Sequence, residues 1–160
     1  MDPVLILGAG LILWSFAMRK RFPASPVEDK TPITSTFKPP HRPTHNGVDF
    51  GAPWGAPCYS IGPGRVSKVH HADDNASGMH VVVVGIGEWA GYAWSYSHLS
   101  RIDVQTADLL APGDVVGAVG NTGHVMSNLP EDAPHRGAHL HFVIMAMPGW
   151  TAIDPLPLLP

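Results

Sequence analysis

From about residue 44 onward the chain is a succession of short runs rich in β-branched and aromatic residues, separated by small clusters of Gly, Pro and Asn. The runs that predict strands are 56–61 (APCYSI), 64–71 (GRVSKVHH), 79–86 (MHVVVVGI), 91–98 (GYAWSYSH), 114–120 (DVVGAVG) and 138–145 (AHLHFVIM). Turn signals fall between them at GPG (62–64), GIG (85–87), APGD (111–114) and NTG (121–123). No stretch of this part sustains a helical period, and 17 glycines and 17 prolines would interrupt one. The pattern predicts an all-β domain over residues 44–160, with strands crowded into a small barrel-like sandwich.

Two strands carry an informative alternation. In 91–98, period two places Tyr92, Trp94, Tyr96 and His98 on one face, and aromatic residues so arranged predict core. In 138–145, His139 and His141 share the face opposite Leu140, Phe142 and Ile144, about 6.6 Å apart along the strand. Both imidazoles are therefore expected to face one space.

The start of the chain reads differently. Residues 3–18 form an uncharged apolar run of 16, preceded by Asp2 and followed by Arg19, Lys20 and Arg21. A cleavable signal would carry its positive charge before the run, so residues 1–21 are expected to be an uncleaved membrane anchor. The positive-inside rule puts its basic end, and the domain behind it, on the cytoplasmic side. Residues 22–43 are rich in Pro, Ser and Thr without periodicity and are expected to form an extended linker.

Charge removes one class of partner. Net charge is −3 with histidines neutral, and the Lys and Arg residues are scattered apart from 19–21, so nucleic acid is excluded for want of a basic face. The single Cys58 allows no intramolecular disulfide and no thiolate metal cluster, and it is expected to be a small buried hydrophobe. Ten histidines, by contrast, invite metal or acid–base chemistry.

The stretch THNGVDFGAPWGAP carries the rest of that chemistry. In a straight strand the Cα atoms of His45 and Asp49 would lie about 13 Å apart, too far to share an ion held at about 2 Å by each. A bend at Gly47 would let the imidazole and the carboxylate converge. Joined with the paired histidines they make a His and Asp ligand set without thiolates, the pattern of a catalytic zinc site with one open position.

These segments occur in an order that resembles the lysostaphin-type zinc endopeptidases, the LytM-like peptidoglycan hydrolases. HNGVDFGAPWGAPCYSIGPGRV is followed by YSHLS, PGDVVGAVGNTG, AHLHF and IDPLPLL, covering residues 42–158. The resemblance implies a compact antiparallel β-sandwich with a groove over the metal. It implies zinc on His45, Asp49 and His141, with His98 and His139 as the catalytic pair. Val143 stands where many relatives have a carboxylate, and residues 124–137 are read as an enlarged loop on the groove rim. His124 and His135 within it are expected to face solvent, and His41, His70, His71 and His80 to be surface or packing residues.

The function implied is hydrolysis of a peptide bond in bacterial peptidoglycan cross-links. His139 would take the proton of the attacking water, and His98 would donate to the oxyanion or to the leaving amine. A non-catalytic LytM-like module that activates another hydrolase is the alternative, disfavoured because all five functional positions are filled. A carrier domain of the biotinyl or lipoyl kind lacks its lysine. A cytoplasmic-side domain conflicts with a wall substrate, unless the chain is a membrane-anchored lysin inside a bacteriophage particle.

Overall fold

The computed structural model describes residues 20–160. The expected anchor over 1–21 lies outside them except for Lys20 and Arg21. Among the described residues no helix is long and apolar enough to cross a membrane.

Eleven strands follow one another, joined by turns and by two short 3-10 segments at Gly87–Trp89 and Leu156–Leu158. In chain order they are β1 (Ile33–Ser35), β2 (Val48–Phe50), β3 (Pro57–Tyr59), β4 (Gly64–His70), β5 (His80–Gly85) and β6 (Tyr92–Ser97). After them come β7 (Leu99–Ile102), β8 (Leu109–Leu110), β9 (Val115–Val119), β10 (Leu140–Ala146) and β11 (Thr151–Ile153). The larger sheet runs β1-β2-β10-β6-β5-β4-β8, with β11 also paired to β10, and the smaller runs β3-β9-β7. Every pairing is antiparallel. The all-β expectation therefore holds, and each of the six predicted strands overlaps an observed one.

Alternation explains which face of each strand is buried. Val81 and Val83 of β5 and Leu140, Phe142 and Ile144 of β10 are fully buried, as is Trp94 of β6. Tyr96 packs its ring 5.2 Å from that of Phe142, and its hydroxyl donates to the Tyr59 carbonyl at 2.8 Å. That bond ties β6 of the large sheet to β3 of the small one and gives a buried phenol the partner it needs.

Residues 22–43 correct the linker expectation, because they lie against the body. Phe22 and Val27 are buried, and the Phe22 ring stacks on Trp89 with centroids 3.9 Å apart. The Phe22 amide donates to the Leu158 carbonyl, and β1 pairs with β2. Pro, Ser and Thr mark an irregular path, but two apolar side chains at its start suffice to anchor it, each worth about 1.5–3 kcal/mol when buried.

Two junctions position the polar side chains. His98 lies between β6 and β7, where the chain leaves the large sheet for the small one, and it turns that corner with φ of 65°. Gly120, just past β9, makes an isolated bridge to His139, just before β10. The second junction joins the small sheet to the strand that carries His141.

Candidate metal centre

On β2 and β10, Asp49 and His141 are direct cross-strand partners, so alternation puts both on the face away from the core. His45 reaches them through the bend at Gly47. The glycine is needed there for space, since a Cβ would collide with the Phe142 carbonyl and stand 2.9 Å from His141 Cε1. Its φ is not among the positive values of the chain, so close approach to β10, and not backbone freedom, explains the residue.

The three side chains converge on one point. His45 Nε2 lies 3.0 Å from Asp49 Oδ1 and 3.1 Å from His141 Nδ1, and His141 Nδ1 lies 2.7 Å from the same carboxylate oxygen. The outward nitrogen of each ring is spent elsewhere: His45 Nδ1 donates to the Thr36 carbonyl at 2.7 Å, and His141 Nε2 donates to Asn46 Oδ1 at 3.1 Å. In the neutral rings the inward nitrogens then carry lone pairs, so two imidazoles and a carboxylate oxygen present acceptors to one another with no donor between them. A cation resolves that conflict, and ligands about 2 Å from a shared ion would stand only slightly farther apart than these do. His45, Asp49 and His141 are thus able to hold a metal ion.

Arg42 completes the cluster from outside, with Nη1 donating to Asp49 Oδ2 at 3.0 Å. Burial works to raise the Asp49 carboxyl. The close contact with His141 and the positive charge that His141, His139 and His45 carry when protonated outweigh it and hold the group well below the usual carboxylate range.

His98 and His139 form a second pair beside the first, with ring centroids 4.7 Å apart. His98 Nδ1 donates to the Thr122 carbonyl at 2.8 Å and His139 Nδ1 to the Gly137 carbonyl at 2.7 Å. Both Nε2 atoms are left as acceptors, and that of His139 is 3.8 Å from Asp49 Oδ1. Burial, reinforced by His139, pushes His98 down to about 4 against the opposing Thr122 hydrogen bond. His98 is therefore neutral at pH 7. Period two had placed it on the face of Trp94 and Tyr96, which is core. Its left-handed backbone turns the ring out of that face and beside His139.

The cluster opens on a groove of two cavities, of about 520 and 380 Å³. One wall comes from residues 34–42, the other from residues 124–139, and Arg42, His124 and Met126 line both cavities. His41, expected to be a surface or packing residue, is exposed and lines the larger one. His135 is exposed and stacks on Trp54 at 4.2 Å. His70 and His80 stack on each other at 4.8 Å, and His71 is exposed. Cys58 is buried, and its thiol is pushed up to about 12 by that burial and by Asp103. Sequence reasoning missed Thr36, Arg42 and Asn46, whose contacts depend on chain packing and have no periodic signature.

The model of peptidase family M23 matches residues 43–155. The chain belongs to peptidase family M23. Within this family it is similar to the peptidoglycan DD-endopeptidase ShyA of Vibrio cholerae, with 33% identity over 136 residues that cover 81% of the chain and 28% of that protein. It is similar also to lysostaphin of Staphylococcus simulans, with 30% identity over 115 residues covering 72% of the chain and 21% of that protein. The chain thus spans less than a third of the length of these relatives. A crystal structure of a zinc-containing peptidase from Vibrio cholerae superposes with a TM-score of 0.70 at 30% identity, covering 88% of this chain and 41% of that one. The catalytic domain of lysostaphin from Staphylococcus simulans gives a TM-score of 0.57 at 27% identity, covering 71% and 77%. Membership of this family and the resemblance to peptidoglycan endopeptidases agree with the family expected from the motifs.

Proposed function

We propose that the chain is a zinc-dependent endopeptidase that hydrolyses peptide bonds in peptidoglycan cross-links. The observation that carries the reading is the convergence of His45, Asp49 and His141 on one point beside a second histidine pair whose Nδ1 atoms are both held by backbone carbonyls. Zinc is the metal that suits two imidazoles and a carboxylate with a coordination position left open. When bound it supplies a Lewis acid that polarises the scissile carbonyl and acidifies water.

The chain's own residues do the rest. The Thr36 carbonyl and Asn46 fix the tautomers of His45 and His141, so that both offer lone pairs inward. His139 Nε2 accepts the proton of the attacking water. His98, neutral at the outset, enters the cycle as an acceptor at Nε2. The proton it hands to the leaving amine is therefore one it has first taken up within the site. Buried Leu140 and Phe142 on the opposite face of the β10 segment keep His139 and His141 from rotating away.

Residues 1–21 would tether this domain to a membrane. The apolar run and its basic flank support that reading, and a phage-particle lysin is the form of it that reconciles a cytoplasmic-side domain with a wall substrate. The decisive experiment is digestion of purified peptidoglycan. Mass spectrometry should find cross-link peptides released by the zinc-loaded chain, none after chelation, and release again on adding zinc. A zinc-loaded chain that releases nothing would leave the non-catalytic reading in its place.

A further inference from the structure

We infer that Arg42 makes the groove selective for peptides bearing a free carboxylate on the residue next to the scissile bond, and that this carboxylate docks on the guanidinium. The inference rests on the hydrolase reading above and names its substrate class.

The guanidinium spends only one donor within the protein. Nη1 holds Asp49 Oδ2 at 3.0 Å, and among the described residues no other partner takes its remaining N–H groups. The side chain is 44% exposed and lines both cavities, so the unspent edge of a five-donor fork faces the groove. A carboxylate accepting from that edge makes two parallel charge-assisted bonds, a geometry that a lysine ammonium does not reproduce.

The surrounding charge favours the same ligand. With histidines neutral, Arg42 and Asp49 are the only charged residues lining either cavity. A divalent ion at the metal point would leave the site net positive, attracting an anion and repelling an ammonium. Position then decides which carboxylate is read. Arg42 touches one oxygen of the Asp49 carboxylate whose other oxygen faces the metal point, so a group docked on the guanidinium lies one residue from the bond under attack.

The test uses two synthetic peptides, identical except that the residue following the scissile bond carries a free carboxylate or its carboxamide. The zinc-loaded chain should cleave the acid with kcat/KM about tenfold or more above the amide, most of it in KM. Arg42→Lys, which keeps a cation against Asp49 but loses the fork, should retain zinc and reduce the preference to below about threefold. Arg42→Gln should abolish it. Calorimetric binding of both peptides to the His139→Ala chain reads the same preference without turnover. Equal handling of the two peptides by the native chain, or an undiminished preference in Arg42→Lys, overturns the inference and leaves Arg42 a positioning residue for Asp49. Should Arg42→Gln lose its zinc, Arg42→Lys carries the decision. Preferential binding without cleavage of either peptide would fail the hydrolase reading and uphold the selectivity, and equal cleavage of both would do the reverse.

Discussion

Two places in the molecule share the spacing H-x-x-x-D with a second histidine brought alongside. At the groove His45 and Asp49 meet His141, with ring centroids of the two histidines 4.9 Å apart. On the outer face His70 and Asp74 meet His80, with centroids 4.8 Å apart. The composition and the ring separations are nearly equal, and only the first cluster brings three ligand atoms to one point. The difference lies in what surrounds them. Asp49 has a side-chain exposure of 6% against 65% for Asp74, and each imidazole at the groove has its outward nitrogen held by an oxygen. On the outer face His70 Nε2 is spent on Asp74 and Asn75 crowds the same nitrogen, so water can satisfy every group and no charge is required between them. A spacing becomes a metal site when burial removes water and a surrounding layer of hydrogen bonds leaves only lone pairs pointing inward.

The largest effect should come from removing the carboxylate charge in each cluster. Asp49→Asn is expected to abolish zinc retention and to lower peptidoglycan hydrolysis to background. Asp74→Asn should change metal content, turnover and stability little. Metal analysis and turnover on the two purified variants check the pair, and an effect of Asp74→Asn on zinc would break the comparison.

Next in size is the proton-transfer pair. His139→Ala should keep its zinc and lose about 10²–10⁴-fold in kcat, whereas His80→Ala should leave kcat unchanged. Equal zinc loss in His139→Ala and His141→Ala would refute the division of roles along that strand.

The surrounding layer should matter less than the ligands. Asn46→Ala, which frees His141 Nε2, is expected to weaken zinc affinity by about 10–100-fold, measured by competition with a chelating dye. Asn75→Ala should not change it.

The last effect concerns stability in acid and leaves activity at neutral pH untouched. The folded-state value of His98, about 4, lies below the ordinary value of 6.5. The unfolded chain therefore binds the extra proton first, and stability is complete above pH 6.5 and falls as the pH drops from there toward 4. The shift corresponds to a loss on the order of 3 kcal/mol. Asp49, also lowered, acts in the same direction further into the acid range. Urea denaturation in chelator at pH 7.5 and pH 4, on the native chain and on His98→Gln, should show the loss reduced in the variant.

How much of this could be read beforehand follows from where the signal is periodic. The two faces of β10 were legible, though not its ends, because Leu140, Phe142 and Ile144 alternate with His139 and His141 and the sheet buries one set. β1, β2, β7, β8 and β11 were not, since strands of two to four residues are too short to display a period. His45, Asp49, His98, His139 and His141 were legible through ordered motifs, and the structure brings all five together. The face of His98 was not, because one left-handed residue reverses the alternation that precedes it. Residues 22–43 misled through composition. Phe22 is one of two aromatic residues in a proline-rich stretch, and nothing local reports that its ring finds Trp89.

The wall formed by residues 34–42 blurs the edge of the unit. The match to the family model begins at residue 43, yet the oxygen that sets the His45 tautomer and the cation that steadies Asp49 both precede it. An excised piece 43–155 would carry every metal ligand and still be missing two of the struts that aim them. The part of this molecule that aims the site is therefore larger than the part the family model spans.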